Sequence, residues 1–168
     1  MSTSALKLSR ITLAYDVHED RVLISGELVT GRRILLSLTR RLLNKLIPRL
    51  TTTELSVTHP CGSASDTTPF PHGVENGQKQ DQSPVSVDAS CETVLITSID
   101  IKTAANHLVL EWKDKGDRKI AQLVLDHVSL PAWLNALKIC FEKGSWSQEA
   151  WKLEQVSTAS SHGHYTVH

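Results

Sequence analysis

The chain runs through one small pattern twice, and this repetition constrains its fold more than any motif does. Ile11-Thr12-Leu13-Ala14-Tyr15-Asp16 is followed by Arg21-Val22-Leu23-Ile24, a Thr30-Gly31-Arg32-Arg33 turn, the apolar run Ile34 to Leu38, and Thr39 opening a helix. Shifted by 85 residues, Ile96-Thr97-Ser98-Ile99-Asp100-Ile101 is followed by His107-Leu108-Val109-Leu110, a Lys115-Gly116-Asp117-Arg118 turn, the run Ile120 to Leu125 and a helix from Ser129. Few residues are identical between the copies, so the order of elements carries the repeat. A unit too small to bury its own apolar face exists to pack against a twin.

In the first copy, Arg10 to Asp16 alternates as a half-buried strand does, with Ile11, Leu13 and Tyr15 on one face. His18-Glu19-Asp20 is a polar turn into a second strand, Arg21 to Val29. Gly31, free to take positive φ, turns the chain into a third, Ile34 to Leu38. The Thr39 hydroxyl is placed to accept a first-turn N–H of a helix from Arg40 to about Leu50. Leu42, Leu43, Leu46, Ile47 and Leu50 share one face of that helix, and Pro48, lacking a backbone donor, is expected to end or kink it.

The second copy reads as strands Val94 to Ile101, His107 to Trp112 and Arg118 to Asp126, then a helix capped by Ser129 with Pro131 in its first turn. Trp133, Leu134, Leu137, Cys140 and Phe141 form its apolar face, and Gly144 is its C-cap. Ser147 can cap a short further helix to about Gln155, which has no counterpart in the first copy.

These elements divide the chain into a first unit over 8–55, a disordered linker over 56–91, a second unit with a helical extension over 92–155, and a flexible tail over 156–168. Between 56 and 91, Ser, Thr, Pro, Gly, Gln, Asn and Asp dominate and no periodicity survives, so little apolar surface is on hand to offset chain entropy. The expected fold is α+β: a tandem duplication of a strand-strand-strand-helix unit with an approximate internal two-fold, plus a short C-terminal helix. Two such units together bury a core that one cannot. The element order resembles that of the repeats in the Whirly and PUR single-strand nucleic-acid binders, although the PUR repeat has one more strand and no motif residue is shared.

Composition narrows the function classes. Eighteen basic and eighteen acidic residues cancel, so no overall field draws the protein to nucleic acid or anionic lipid. The first 55 residues nevertheless hold nine Lys/Arg against five Asp/Glu, a net of +4, which makes the first unit the basic end. No apolar stretch approaches the roughly 20 residues of a membrane helix, and Met1 to Arg10 lacks a secretory signal pattern. Cys61, Cys91 and Cys140 are odd in number and widely spaced, with no zinc-ribbon or disulfide framework. A cytoplasmic protein with reduced thiols and no membrane association is expected.

No phosphate-cradling glycine loop, H-E-x-x-H helix, nucleophile elbow or calcium loop occurs, so the reading leans away from an enzyme, and no catalytic residue or cofactor is assigned. His162, His164 and His168 in the tail are the best local metal candidates, against the plainer reading of a polar terminus with nothing to orient its ligands. Arg40, Arg41, Lys45 and Arg49 form the densest basic group. The steps from 41 to 45 to 49 line one helical edge, fitted to an acidic protein surface or to phosphates, or simply solvated. Trp146 and Trp151 lie in the unduplicated extension, where they serve either as interface anchors or as side chains packed back onto the domain.

The leading expectation is a non-enzymatic protein-interaction module: an adaptor, assembly factor or regulatory subunit. The first alternative is a single-strand nucleic-acid binder using a sheet face and the basic edge, although Tyr15 is the only aromatic residue of the first unit. The second is a small enzyme or enzyme subunit of unknown substrate. A homodimer is compatible with the repeat, whose halves can pair within one chain or across two.

Overall fold

The computed structural model describes residues 6–58, 83–88, 91–104, 106–152 and 164–168. Eight strands and two helices follow in the order β1 (Leu8–Asp16), β2 (Arg21–Leu28), β3 (Arg33–Thr39), α1 (Arg40–Thr58), β4 (Thr93–Ile96), β5 (Ser98–Thr103), β6 (His107–Lys113), β7 (Lys119–Asp126), α2 (Ser129–Lys143) and β8 (His164–Val167). They make a mixed α+β fold with two four-stranded sheets, ordered β1-β2-β3-β4 and β7-β6-β5-β8. Every pairing is antiparallel except β3 with β4.

Alternation decides which residues face inward. In β2, Val22, Ile24 and Leu28 are buried while Arg21, Leu23, Ser25 and Glu27 are only partly so. In β6, Leu108, Leu110 and Trp112 share the inner face, as their spacing of two requires. Trp133, Leu137, Cys140 and Phe141 of α2 and Leu43, Leu46, Ile47 and Leu50 of α1 fill the same continuous core. The halves therefore pair within one chain. α2 lies against β1 and β7, α1 against β3 and β8, and the two helices touch.

The expected strand Val94 to Ile101 is two strands. It breaks at Thr97, whose N–H donates to the Lys113 carbonyl at 3.0 Å, so β4 completes the first sheet and β5 lies in the second. On the opposite side, a parallel bridge from Lys7 to Gln122 ties the entry of β1 to β7. The two sheets are thus joined at two places, through the β4–β5 crossing and through the Lys7–Gln122 bridge.

Several local expectations need correction. Pro48 does not end α1, which continues to Thr58. Asn44, whose carbonyl loses its i+4 donor at the proline, is on the exposed side of the helix, where water can compensate. The Thr51 hydroxyl, bonded to the Ile47 and Pro48 carbonyls at 3.1 Å, and the Thr52 hydroxyl, 2.8 Å from the Pro48 carbonyl, brace the turns that follow. Thr39 does cap α1, its Oγ1 accepting from the Leu42 N–H at 3.3 Å. Ser129 does not cap α2. The Asp126 carboxylate takes that role by accepting from the Val128 and Ser129 N–H groups at 3.1 and 2.7 Å. The Ser129 hydroxyl, which donates to it at 2.7 Å, and then these N–H groups hold its pKa below the usual carboxylate range.

The extension contains a 3-10 turn at Gln148–Trp151 whose Glu149 N–H donates to Ser147 Oγ at 3.3 Å, as expected of that cap, while the expected continuation to about Gln155 lies outside the described residues. The tail is corrected at 164–167, where β8 pairs along β5 and Val167 is buried. Within the span expected as a linker, α1 continues to Thr58 and residues 83–88 dock on the first sheet with Val85 only 6% exposed. The remainder of 56–91 lies outside the described residues, apart from Cys91 at its end.

Candidate interaction surfaces

Burying five apolar residues of α1 forces its other positions into solvent. Arg40, Arg41, Asn44, Lys45 and Arg49 are all exposed, and no acidic residue occurs from 40 to 52. The basic edge expected from four-residue spacing therefore exists as a surface. Arg40 and Arg41 occupy the first turn, where the positive end of the helix dipole disfavours each cation by roughly 0.3–1 kcal/mol. Arg40 is partly compensated by lying 5.9 Å from the centre of the Trp146 ring. Lys45 Nζ donates to the His168 carbonyl at 2.7 Å.

Trp146 is a structural tie. It is 4% exposed, packs edge-on against Phe141 at 4.9 Å and Tyr15 at 5.6 Å, and donates its Nε1–H to Asp20 Oδ1 at 2.6 Å. The Tyr15 hydroxyl donates to the same oxygen at 2.6 Å. These two donors, Tyr15 first, hold the Asp20 carboxyl below its ordinary range, and the bond to Asp20 pushes the Tyr15 hydroxyl up. The β1–β2 turn is thereby clamped to the segment after α2. Gly144 sits inside the clamp, where a Cβ would come within 2.8 Å of the Tyr15 ring and 2.9 Å of Trp146 Nε1. Trp151 is half-buried, 5.7 Å from Phe141. Both rings thus pack onto the domain, Trp146 almost completely and Trp151 in part.

The outer face of the second sheet carries an ionic network that sequence reading missed. Asp100, Glu111 and Gln122 stand in one cross-strand row. Lys102 and Lys119 both reach Glu111 Oε1, at 2.8 and 2.7 Å, and Lys113 bridges Asp100 at 2.8 Å and Asp117 at 3.2 Å. Burial pushes the Glu111 carboxyl up, but the hydrogen bonds from Lys102 and Lys119 outweigh it and hold the group below its ordinary value. Asp100 and Asp117 raise Lys113. Each of these carboxylates meets a lysine, so the row is a satisfied network and not a pair of carboxyls poised for acid–base work. The sequence signal was the period-two spacing of Asp100 with Lys102 and of Glu111 with Lys113, which alone reads as a solvated face.

The outer face of the first sheet holds residues 83–88 as a strap. Arg10 of β1 donates to the Ser83 carbonyl, Thr12 Oγ1 accepts from the Val85 N–H at 2.9 Å, and Arg33 of β3 donates to the Ser86 carbonyl at 3.0 Å. Glu27 of β2 stands between the two arginines, at 3.8 Å from Arg10 and 4.0 Å from Arg33. Val85 went unnoticed because a single valine among Ser and Pro has no periodicity.

His162 lies outside the described residues, His164 is in β8, and His168 is exposed. Among the described residues, no three His, Cys, Asp or Glu side chains gather as a metal site, and no helix is long and apolar enough to cross a membrane. Comparison with known proteins finds no matching family model, no matching curated protein and no matching solved structure. What the chain does is therefore argued from its surfaces.

Proposed function

We propose that the chain is a non-enzymatic protein-interaction module that presents the basic face of α1 to an acidic partner surface. The observation that carries this reading is the exposed set Arg40, Arg41, Lys45 and Arg49 with no acid from 40 to 52 and two arginines in the first turn. Helix stability favours acids there. Within the fold Arg40 is offset by the Trp146 ring and the nearby Asp20 charge, and Lys45 by the His168 carbonyl, so it is the single sign of the whole face that a partner would read. An acidic partner fits that face, because a one-sign patch speeds encounter and sets orientation. The described aromatics point away from a base-stacking platform, since Trp112, Trp133 and Trp146 are buried and Tyr15 is tied to Asp20.

The scaffold for this surface is, on the same reading, a tandem duplication with an approximate two-fold. Its support is the recurrence of three antiparallel strands and a helix in each half. It is supported too by a reciprocal seam: residues entering β5 pair in parallel with β3, and Lys7, entering β1, pairs in parallel with β7. The cleft at that seam is lined by Ile34 with Ile120 and Arg32 with Arg118, which occupy similar places at the starts of β3 and β7.

The test is a double charge reversal, Arg41→Glu with Lys45→Glu. Arg41→Glu is an exposed change expected to alter stability by no more than about 0.5 kcal/mol and is favoured by the helix dipole. Lys45→Glu also gives up the bond to the His168 carbonyl, so circular dichroism must show that the variant is folded. Capture of the partner from native extract, identified by mass spectrometry, should fall about tenfold or more. Wild-type capture should itself weaken between about 50 and about 300 mM salt. Undiminished capture by the folded variant removes α1 from the interface. Salt-dependent binding of a single-stranded oligonucleotide, lost in the variant, would put the nucleic-acid reading in its place.

A further inference from the structure

We propose that the outer face of the first sheet is a peptide-recognition surface, filled in this form by the chain's own strap, and that an extended partner segment with a β-branched anchor displaces it. The inference rests on the interaction-module reading for its class of partner, and it adds a surface separate from α1.

The chemistry of the seat is what an extended peptide needs. All three hydrogen bonds between sheet side chains and the strap go to backbone atoms: the carbonyl two residues before the anchor, the N–H of the anchor, and the carbonyl one residue after it. Any extended segment presents those groups, whatever its side chains. Pro84, which has no N–H, shows that the intervening position need not donate. Selectivity then falls to the anchor, and Val85 is the buried one. The seat is also organised by the sheet itself. Arg10 and Arg33 come from strands on either side of β2 and are both within 4.0 Å of Glu27, which stands in register with each, and Thr12 lies two residues along β1 from Arg10.

A segment of the same chain acts as a competitor at high effective concentration. An outside peptide of moderate affinity is therefore masked until the tethered copy is weakened. The strap also leads into β4 through Cys91, whose N–H donates to the Asp88 carbonyl at 2.9 Å. Displacement would thus act next to the strand at which the chain passes from one sheet to the other.

The experiment uses the full chain with Val85→Asp, and a fluorescent synthetic peptide with the sequence of residues 82–88 read out by anisotropy. The expected result is saturable binding at least about tenfold tighter than to wild type, which retains the competitor. Binding should disappear when the peptide's own valine is replaced by aspartate, and weaken severalfold when Arg33→Ala is added to the protein. Absence of binding to the folded variant, equal affinity for wild type and variant, or indifference to Arg33→Ala would overturn the proposal. Should Val85→Asp not fold, replacing 83–88 by Gly/Ser of equal length serves instead. Failure of both to fold would make the strap a structural staple and end the proposal. The assay contains no acidic partner, and Arg41→Glu with Lys45→Glu should leave it unchanged, so its failure does not touch the reading of α1.

Discussion

Trp146→Ala will destabilise the protein by about 3–5 kcal/mol, the range for truncating a large buried aromatic side chain. That is a large part of the 5–15 kcal/mol typical of a folded domain. The indole joins three elements at once. It fills the space between Phe141 of α2 and Tyr15 of β1, lies beneath Arg40 at the start of α1, and donates to Asp20 in the β1–β2 turn. Alanine would leave a cavity there, and the surroundings cannot close over it. Gly144 is packed so tightly against Tyr15 and Trp146 that it has no room for a methyl group, which indicates how little slack the clamp has. Trp146→Phe keeps a six-membered aromatic ring but removes the N–H and the volume of the pyrrole ring, so it should melt between wild type and the alanine variant. Urea melts followed by circular dichroism will rank the three. An alanine variant as stable as wild type that nevertheless loses its partner would mean the indole faces a partner and not the core.

How much of this was legible beforehand depended on whether a residue's role was local. The alternation in β1 to β3, the Thr39 cap, the Gly31 turn at φ 83°, the inward faces of both helices and the Ser147 cap are each set by neighbours within a few residues, and each could be read from the sequence. Three failures share the opposite cause. In Val94 to Ile101 the polar pair Thr97-Ser98 interrupts the apolar run and shifts its phase from Val94 and Ile96 to Ile99 and Ile101. Strand-forming residues continue through it, however, and the break is fixed by two different partners, β3 before it and β6 after it. β8 has Val167 as its buried anchor in a His/Thr-rich terminus and exists because the edge of β5 lies open to it. The strap likewise hangs on one valine and on side chains 53 to 73 residues away. The basic edge of α1 was legible as a pattern, since helical spacing is local. Its partner was not, because recognition depends on a surface that is not in this chain.

The ionic row on the second sheet yields the other large effect, and its sign follows from the pKa directions. Glu111 is 11% exposed, while the lysines it meets retain 22% (Lys119) and 46% (Lys102) exposure. Glu111→Gln keeps the shape and one acceptor but leaves two ammonium groups without their counter-charge. A fully buried broken pair costs about 3–5 kcal/mol. Water reaching both lysines reduces the expectation to about 2 kcal/mol at neutral pH. The folded-state pKa of Glu111 lies below its ordinary value of 4.5. Its contribution is therefore fully present above that value and is lost as pH falls through the folded one. Asp20, Asp114 and Asp126 are lowered too and add to the same acid limb. Wild type should thus lose stability as pH falls below the ordinary value of 4.5, Glu111→Gln less steeply, and the gap between them should close as pH falls through the lowered folded-state pKa of Glu111. Lys113 is raised, so it acts at the other extreme: its contribution persists below the ordinary lysine value of 10.5 and is lost as pH climbs through the higher folded one. Stability measured by urea melts from acid to alkaline pH tests all of this. A gap between wild type and Glu111→Gln that is constant with pH would mean that the charge of Glu111 contributes nothing and that only its packing matters.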